Sequence, residues 1–213
     1  NHHLGTFTVK GDQVQKIRGT DGSWVIREIP GESGLLMLGS YDGIHILERS
    51  GNQWQLRNQV DGFEHSSRFL EPYGPQVFVN HEYKGVFRIQ LDEGLTRALT
   101  VSVDTTLRGA DSGLARFEGD LLYTNREGVF RYQPSRQDFQ RDSVLSRIFD
   151  PASYVSGRMI PEPGEGRLWF FTAKGIESVS RSSLSGALRF QHIPLSQDAR
   201  NGIAGYESLR PLA

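Results

Sequence analysis

The sequence predicts an all-β protein made of repeated four-stranded units, and three observations lead to this. Five glycines recur at intervals of 38, 42, 43 and 47 residues: Gly5, Gly43, Gly85, Gly128 and Gly175. Each opens a short apolar run, and helical periodicity is scarce. A period of ~40–45 residues with four short strands is typical of a β-propeller blade, whereas helical arrays repeat apolar residues at i, i+3, i+4 and i+7. We therefore predict a β-propeller of about five blade equivalents.

Each repeat is centred on a β-hairpin in which an apolar strand runs into a polar tip. A glycine then gives the backbone the freedom to turn, and Val or Ile restarts the chain. The four segments are LLMLGSYDGIHIL (35–47), VFVNHEYKGVFRI (77–89), LLYTNREGVFRY (121–132) and LWFFTAKGIESV (168–179). Residues 1–9 contain the same restart after Gly5 without a strand before it.

The spacing between hairpins leaves room for one strand before and one after each of them. Candidate inner strands are residues 25–29, 66–70, 113–117, 156–160 and 204–209, and candidate outer strands are 54–57, 95–103, 139–144 and 188–193. The stretch from Asp142 to Ile148 is a candidate helical turn, with its Asp-Ser start as the cap.

Four whole blades follow, at about 24–60, 66–104, 113–146 and 156–194, all in a single domain spanning 1–213. Residues 1–17 and 204–209 would supply complementary parts of a fifth, so that a five-bladed ring could close by joining the termini in one sheet. The alternative is an arc of a larger propeller, and the sequence leaves both open.

Composition excludes several classes of function. The formal net charge is −1 and the 24 basic residues are scattered, which argues against direct nucleic-acid binding. The chain has no cysteine, so disulfides and thiolate metal sites are excluded. No apolar run approaches the ~18–20 residues of a membrane span, and the N-terminus lacks a signal pattern. We expect a soluble domain whose membrane connection, if any, lies outside this chain.

The repeats resemble the two-component regulator propeller family. The likeness rests on LLMLGSYDGIHILER, on SSRFLEPYGPQVFVNHEYKGVFRIQLDEGLT with SVDTT, and on GDLLYTNREGVFRYQ. The resemblance implies the periplasmic ligand-binding region of Bacteroidetes regulators that continue into a triple-tyrosine domain, a membrane helix and a LuxR-type or histidine kinase output module. None of those further segments is in this chain, and the resemblance transfers no set of ligand residues.

Four arginines fall at one position when the inner strands are aligned as VIREIP, SSRFLE, LARFEG and SGRMIP: Arg27, Arg68, Arg116 and Arg158. Around a central channel they could bind carboxylates or sulfates, since a guanidinium grips such groups bidentately. The alternative is that each pairs with an acid of a neighbouring blade, such as Glu28, Glu71, Glu118 or Glu207, and stabilises blade stacking.

The hairpin tips carry aromatic and hydrogen-bonding side chains, of which Tyr41, His81 and Tyr83 are our ligand-binding candidates. Loops carry binding function, but polar tips are also what solvent-facing turns require. The six histidines lack metal-ligand spacing, and we expect no metal and no cofactor. No catalytic motif occurs, although the carboxylates of a glycoside hydrolase could be nominated: Asp42, Glu82, Asp104, Asp111 and Glu127.

Together these features favour a non-catalytic, periplasmic sensing propeller that recognises a small molecule or oligosaccharide. The alternative hypothesis is a scaffold for protein interaction or self-association, for example as a homodimer. The third hypothesis is a glycan hydrolase. Ligand, oligomeric state and output module stay open.

Overall fold

The computed structural model describes residues 3–148, 150–162, 166–182 and 185–196. The chain divides into two compact units, Asn1–Leu107 and Arg108–Ala213. Among the helices of the described residues, none combines the length and the apolar content needed to cross a membrane.

The first unit contains three antiparallel sheets in chain order. The smallest is a hairpin of β1 (Phe7–Lys10) and β2 (Gln13–Lys16). The second sheet is β3 (Ser23–Ile29), β4 (Glu32–Ser40), β5 (Gly43–Ser50) and β6 (Gln53–Gln59). The third is β7 (Phe69–Tyr73), β8 (Gln76–His81), β9 (Gly85–Leu91) and β10 (Ala98–Asp104).

The second unit repeats the four-stranded design twice. One sheet is β11 (Gly113–Phe117), β12 (Asp120–Asn125), β13 (Gly128–Gln133) and β14 (Asp138–Arg141). The other is β15 (Tyr154–Glu162), β16 (Arg167–Thr172), β17 (Gly175–Arg181) and β18 (Leu188–Pro194). Two 3₁₀ turns, Leu145–Ile148 and Pro151–Ser153, lie between them.

This repeated sheet is the blade of a β-propeller, and the predicted fold class is confirmed. In each four-stranded sheet, neighbouring strands in the chain are neighbours in the sheet. The predicted helical turn is also present, and its cap is Asp142, whose Oδ1 accepts the N–H groups of Val144 and Leu145. The candidate strand 204–209 lies outside the described residues, and the single-domain division into blades stays a prediction.

The hairpin glycines serve two purposes. Gly43, Gly85 and Gly128 have φ of 140°, 118° and 139°, a left-handed conformation that side chains disfavour. Gly175 is required for space instead, because a Cβ there would lie 2.3 Å from the carbonyl oxygen of Ile193 on β18.

Two strands begin later than predicted, and local hydrogen bonds explain both differences. The N–H of Ser67 donates to the carbonyl of Ser40 on the neighbouring sheet at 2.8 Å, so β7 begins at Phe69 rather than at residue 66. Asp92 Oδ1 accepts the N–H groups of Thr96 and Arg97 at 2.6 and 2.9 Å, which closes a turn before β10.

The cores lie between successive sheets of the same unit. In the first unit, Met37 and Ile46 pack with Leu70 and Val79 of the next sheet. On the opposite face of the same sheet, Leu38 and Leu47 pack against Ile17. The β3–β6 sheet is therefore apolar on both faces, as a blade between two neighbours must be. In the second unit, one buried cluster joins both sheets and includes Leu122, Val129, Leu145, Leu168 and Phe170.

Successive sheets of the same unit approach each other closely through backbone atoms. A Cβ on Gly39 would lie 2.1 Å from the carbonyl oxygen of Ser67. In the second unit, a Cβ on Gly113 would lie 2.0 Å from the carbonyl oxygen of Gly157, whose N–H donates to the carbonyl of Asp111. These contacts leave no space for a side chain at Gly39 or Gly113.

Candidate ligand site

Aromatic and charged side chains meet at the hairpin-tip end of the first unit. Ser23 of β3 pairs with Ser40, so Trp24 lies beside the tip that carries Tyr41. Phe69 of β7 pairs with Asn80, so the preceding Arg68 lies beside the next tip, which carries Glu82. The strand register therefore brings residues from two sheets to one end of this unit.

The centre of this surface is the cluster Trp24, Tyr41, Arg68, Phe69 and Glu82, here called the tip cluster. The Trp24 and Tyr41 rings meet edge to face with centroids 4.8 Å apart. The Arg68 guanidinium carbon lies 5.5 Å from the Trp24 ring centroid and 5.2 Å from that of Phe69. Arg68 Nη1 also donates to Glu82 Oε1 at 3.2 Å. Cation–π attraction and an ion pair thus hold Arg68 in place.

The tip cluster is partly open to solvent. Tyr41 is 43% exposed, and Tyr83, next to Glu82 in the chain, is 74% exposed. The side chains of Arg68 and Glu82 are only 24% and 20% exposed. The charged pair is therefore partly desolvated, while a tyrosine ring stays accessible at each of the two tips.

Two histidines lie beside the tip cluster. The ring centroids of His65 and His81 are 6.5 Å apart, and Lys84 Nζ lies 3.1 Å from Nδ1 of His65. Burial and the positive charge of Lys84 lower the pKa of both imidazoles from the ordinary value of 6.5. The neutral form of both rings is therefore favoured.

A second, internal network supports the first hairpin tip. Ser40 Oγ donates to Asp42 Oδ1 at 2.5 Å, and Nε2 of the buried His45 lies 3.1 Å from the same oxygen. Burial raises the pKa of Asp42, but the hydrogen bond from Ser40 and the nearby His45 outweigh it, so that the pKa is lowered. This carboxylate stabilises the turn that presents Tyr41.

The four aligned arginines do not occupy equivalent positions, which corrects the alignment made from sequence. In the four hairpins Ser40, His81, Asn125 and Thr172 are equivalent, since each pairs with the hairpin glycine. Arg27 pairs with Met37, three residues before Ser40, whereas Arg116 pairs with Leu121, four before Asn125.

The other two arginines lie nearer to the hairpin tips. Arg68 precedes its strand altogether, because the N–H of the preceding Ser67 donates to Ser40 of the neighbouring sheet and β7 begins only at Phe69. Arg158 lies in an irregular part of β15, just before Met159, which pairs with Phe170. An alignment of six-residue segments could not detect these shifts in register.

Arg27 contacts the adjacent blade of its own unit. Its Nε and Nη2 donate to Oε1 of Glu71 at 2.9 and 2.7 Å, and Glu71 is only 4% exposed. This contact is the inter-blade pairing that was the structural alternative for these arginines. In the second unit, Arg116 is exposed on β11 and Arg158 is half-buried on β15.

Three nominated carboxylates of the first unit have local structural partners. Asp42 and Glu82 bond as described above, and Asp104 Oδ1 accepts the backbone N–H and the hydroxyl of Thr106 at 2.9 and 2.6 Å. In the second unit, Asp111 has a positive φ of 58° and Glu127 lies exposed in a hairpin tip. Over the described ranges, no three His, Asp or Glu side chains are grouped as a metal site would require.

Comparison with solved structures reveals a shared fold. The chain superposes on the extracellular domain of BT4673 from B. thetaiotaomicron, a protein named as a one-component system, with a TM-score of 0.59 and 14% identity over 90% of this chain. A second structure of that domain, named as a hybrid two-component system, gives 0.59 and 14% over 89%. A protein named as a 6-phosphogluconolactonase from Bacteroides uniformis gives 0.51 and 16% over 88% of this chain and 63% of its own.

At these identities the likeness concerns the fold. The chain spans about a quarter of the BT4673 chain, 26% in one structure and 25% in the other. No protein-family model matches the chain. No curated protein matches it either.

Proposed function

We propose that this chain is a ligand-sensing propeller, or a part of one, from a membrane-bound signal transduction regulator, and that it is exposed to the periplasm and does not catalyse a reaction. The single observation that carries the proposal is the tip cluster, in which aromatic rings and one partly desolvated ion pair from two sheets converge on an accessible surface. The resemblance of the repeats to regulator propellers and the fold shared with an extracellular domain support the sensing role.

The chemistry of the tip cluster suits a small molecule or an oligosaccharide. Aromatic rings offer flat apolar faces, while a few fixed polar groups set orientation and specificity. Because Tyr41 lies in the turn after β4 and Arg68 directly precedes β7 of the next sheet, a ligand that touches both would respond to the spacing between the two blades. A ligand shifts a receptor only through its different affinities for two states, and a site shared by two blades offers such a difference.

The non-catalytic assignment is supported by the partners of the nominated acids in the first unit. Asp42 and Asp104 stabilise turns, and Glu82 balances Arg68. A hydrolase needs two carboxylates that face a scissile bond, one of them held protonated.

The test is a calorimetric titration of the 213-residue chain with a panel of plant and host oligosaccharides, run beside Tyr41→Ala and Tyr83→Ala. We expect at least one saccharide to bind, to be recovered intact, and to lose roughly 10-fold or more in affinity with Tyr41→Ala, as expected when an aromatic contact is removed. Binding that neither substitution changes would refute the site, and cleavage of the saccharide would refute the non-catalytic role.

One observation favours the scaffold alternative. The outer strand β10 is the terminal strand of its sheet and exposes Leu99, Val101 and Val103 at 50%, 43% and 42%, beyond the point where Ala98 donates its N–H to the carbonyl of Asp61. Exposed apolar strand edges can pair with another chain. Sedimentation of the chain against Val101→Lys tests this alternative, since a scaffold that associates through β10 would lose its self-association.

A further inference from the structure

The tip cluster carries balanced charge, and this limits the class of ligand that it can bind. Arg68 lies against the faces of Trp24 and Phe69 and donates to Glu82 at 3.2 Å. Both members of the ion pair are largely shielded from solvent. Shielding strengthens their interaction and makes the separation of the two charges costly.

An anionic ligand is poorly matched to this arrangement. A carboxylate or sulfate that approached the Arg68 guanidinium would meet the Glu82 carboxylate beside it, and like charges at such distances repel. To bind, the anion would have to displace Glu82 and leave it in a partly desolvated place.

The other aligned arginine of this unit is balanced in the same way. Arg27 donates twice to the buried Glu71. Each of the two aligned arginines of the first unit is therefore paired with a glutamate, which compensates its positive charge. For these two arginines, pairing with acids is favoured over the anion-binding ring that was the other alternative from the sequence.

A neutral sugar suits the same groups. The ion pair places hydrogen-bond donors of Arg68 next to acceptor oxygens of Glu82, and two adjacent hydroxyls of a pyranose can accept from one and donate to the other. The accessible ring of Tyr41, held edge to face against Trp24, can contact the apolar C–H face of the sugar.

Resting on the function proposed above, we infer that the tip cluster binds uncharged saccharides through adjacent hydroxyl groups and discriminates against uronic and sulfated ones. Glu82 is the residue that determines this specificity, because it both accepts from the sugar and repels an anion. Tyr41 contributes affinity without regard to ligand charge.

The experiment compares neutral hexasaccharides of glucan, xylan, galactan and mannan with oligogalacturonate and chondroitin sulfate hexasaccharides, by calorimetry at low salt. The variants are Glu82→Gln and, as a matched control, Glu64→Gln, which removes the same charge from an exposed position three residues before Ser67. Thermal melting verifies that both variants are folded.

We expect the unmodified chain to bind a neutral hexasaccharide at least 10-fold more tightly than either acidic one. Glu82→Gln is expected to weaken neutral binding by about 10-fold, since a hydrogen bond to a charged group is lost, and to strengthen acidic binding. Glu64→Gln should change neither. A preference of the unmodified chain for the acidic saccharides, or equal effects of the two variants, would overturn the inference while leaving a sensing function in place. Failure of both classes to bind would refute the proposed function and the inference with it.

Discussion

The close approach of Gly39 to the next sheet makes a sharp prediction about stability. In a Gly39→Ala variant the new Cβ would lie 2.1 Å from the Ser67 carbonyl oxygen and 2.9 Å from Cγ1 of Val25, whereas ordinary contact begins at 3.4 Å. The obstructing oxygen belongs to backbone that is fixed by the Ser67 N–H to Ser40 hydrogen bond. The sheets must therefore move apart by about an ångström, which also loosens the core between them.

The magnitude follows from measured costs of overpacking. An extra methyl in a well-packed core costs typically ~1–3 kcal/mol, and more when backbone obstructs it. We expect Gly39→Ala to lose about 3 kcal/mol or more, which for a chain of this size lowers the melting temperature by roughly 6–12 °C.

Gly34→Ala is a control on the same strand. Its Cβ would meet nothing within 4 Å, and its φ lies outside the left-handed region. It should be neutral or stabilise by up to about 1 kcal/mol, since alanine restricts the unfolded chain. The assay is thermal and urea unfolding followed by circular dichroism. Equal melting temperatures for the two variants would show that the Gly39 contact does not constrain the structure.

Three further predictions concern charged groups. Arg27→Met takes the guanidinium from the buried carboxylate of Glu71 and should cost about 2 kcal/mol in urea unfolding, below the full value for a buried pair because Arg27 is 35% exposed. Lys84→Met should raise the pKa of His65, measured by NMR titration, since burial and Lys84 hold that pKa below 6.5. Burial acts to raise the pKa of Asp142, but hydrogen bonds from Leu145 and Arg131 outweigh this effect and hold the pKa below 3.8. In Asp142→Asn the free energy of unfolding should therefore decrease less steeply as the pH falls below 3.8.

The sign of each pH effect follows from the direction of its pKa shift. The folded pKa of His65 lies below the unfolded value, so the unfolded chain binds more protons and stability falls as pH drops through 6.5. Lys84→Met should reduce that loss. For Asp142 the stabilisation is present above pH 3.8 and disappears as pH falls through the lower folded value. An unchanged His65 titration, or acid unfolding that Asp142→Asn leaves as steep as before, would contradict these assignments.

A suitable control for Arg27→Met is Arg136→Met. Arg136 pairs with Asp138 at 3.4 Å, and its side chain is 65% exposed. Exposed pairs contribute less than about 1 kcal/mol, so this variant should unfold close to the unmodified chain. Equal losses from the two variants would mean that Glu71 gains nothing specific from Arg27.

The sequence predicted the parts of this fold that depend on local chemistry. Hairpins with Gly43, Gly85 and Gly128 were identifiable because a glycine that follows a polar tip between two apolar runs is a strong local signal for a tight turn. The start of β7 could not be identified from the sequence, because it depends on a hydrogen bond from Ser67 to Ser40, which lies 27 positions away.

The candidate site was only partly predictable for the same reason. Tyr41 and Tyr83 were recognisable as tip residues, and they are exposed in the structure. Nothing in the sequence around Trp24 indicated that Arg68, 44 residues later, would lie over its ring. Contacts between blades depend on relative register, which irregularities such as that before Met159 shift without a mark in the sequence.

The attachment of Ser67 to the preceding sheet affects how the side chains of this surface can vary among relatives. Its anchors are main-chain groups, the Ser67 N–H and the space above Gly39, so they hold whatever side chains the tips carry. Substitutions at Tyr41, Glu82 or Tyr83 can accumulate without disturbing the spacing of the two sheets. In such a scaffold the contact between the blades depends on backbone atoms, whereas ligand recognition depends on side chains. Relatives can therefore keep the same blade junction while they bind different molecules.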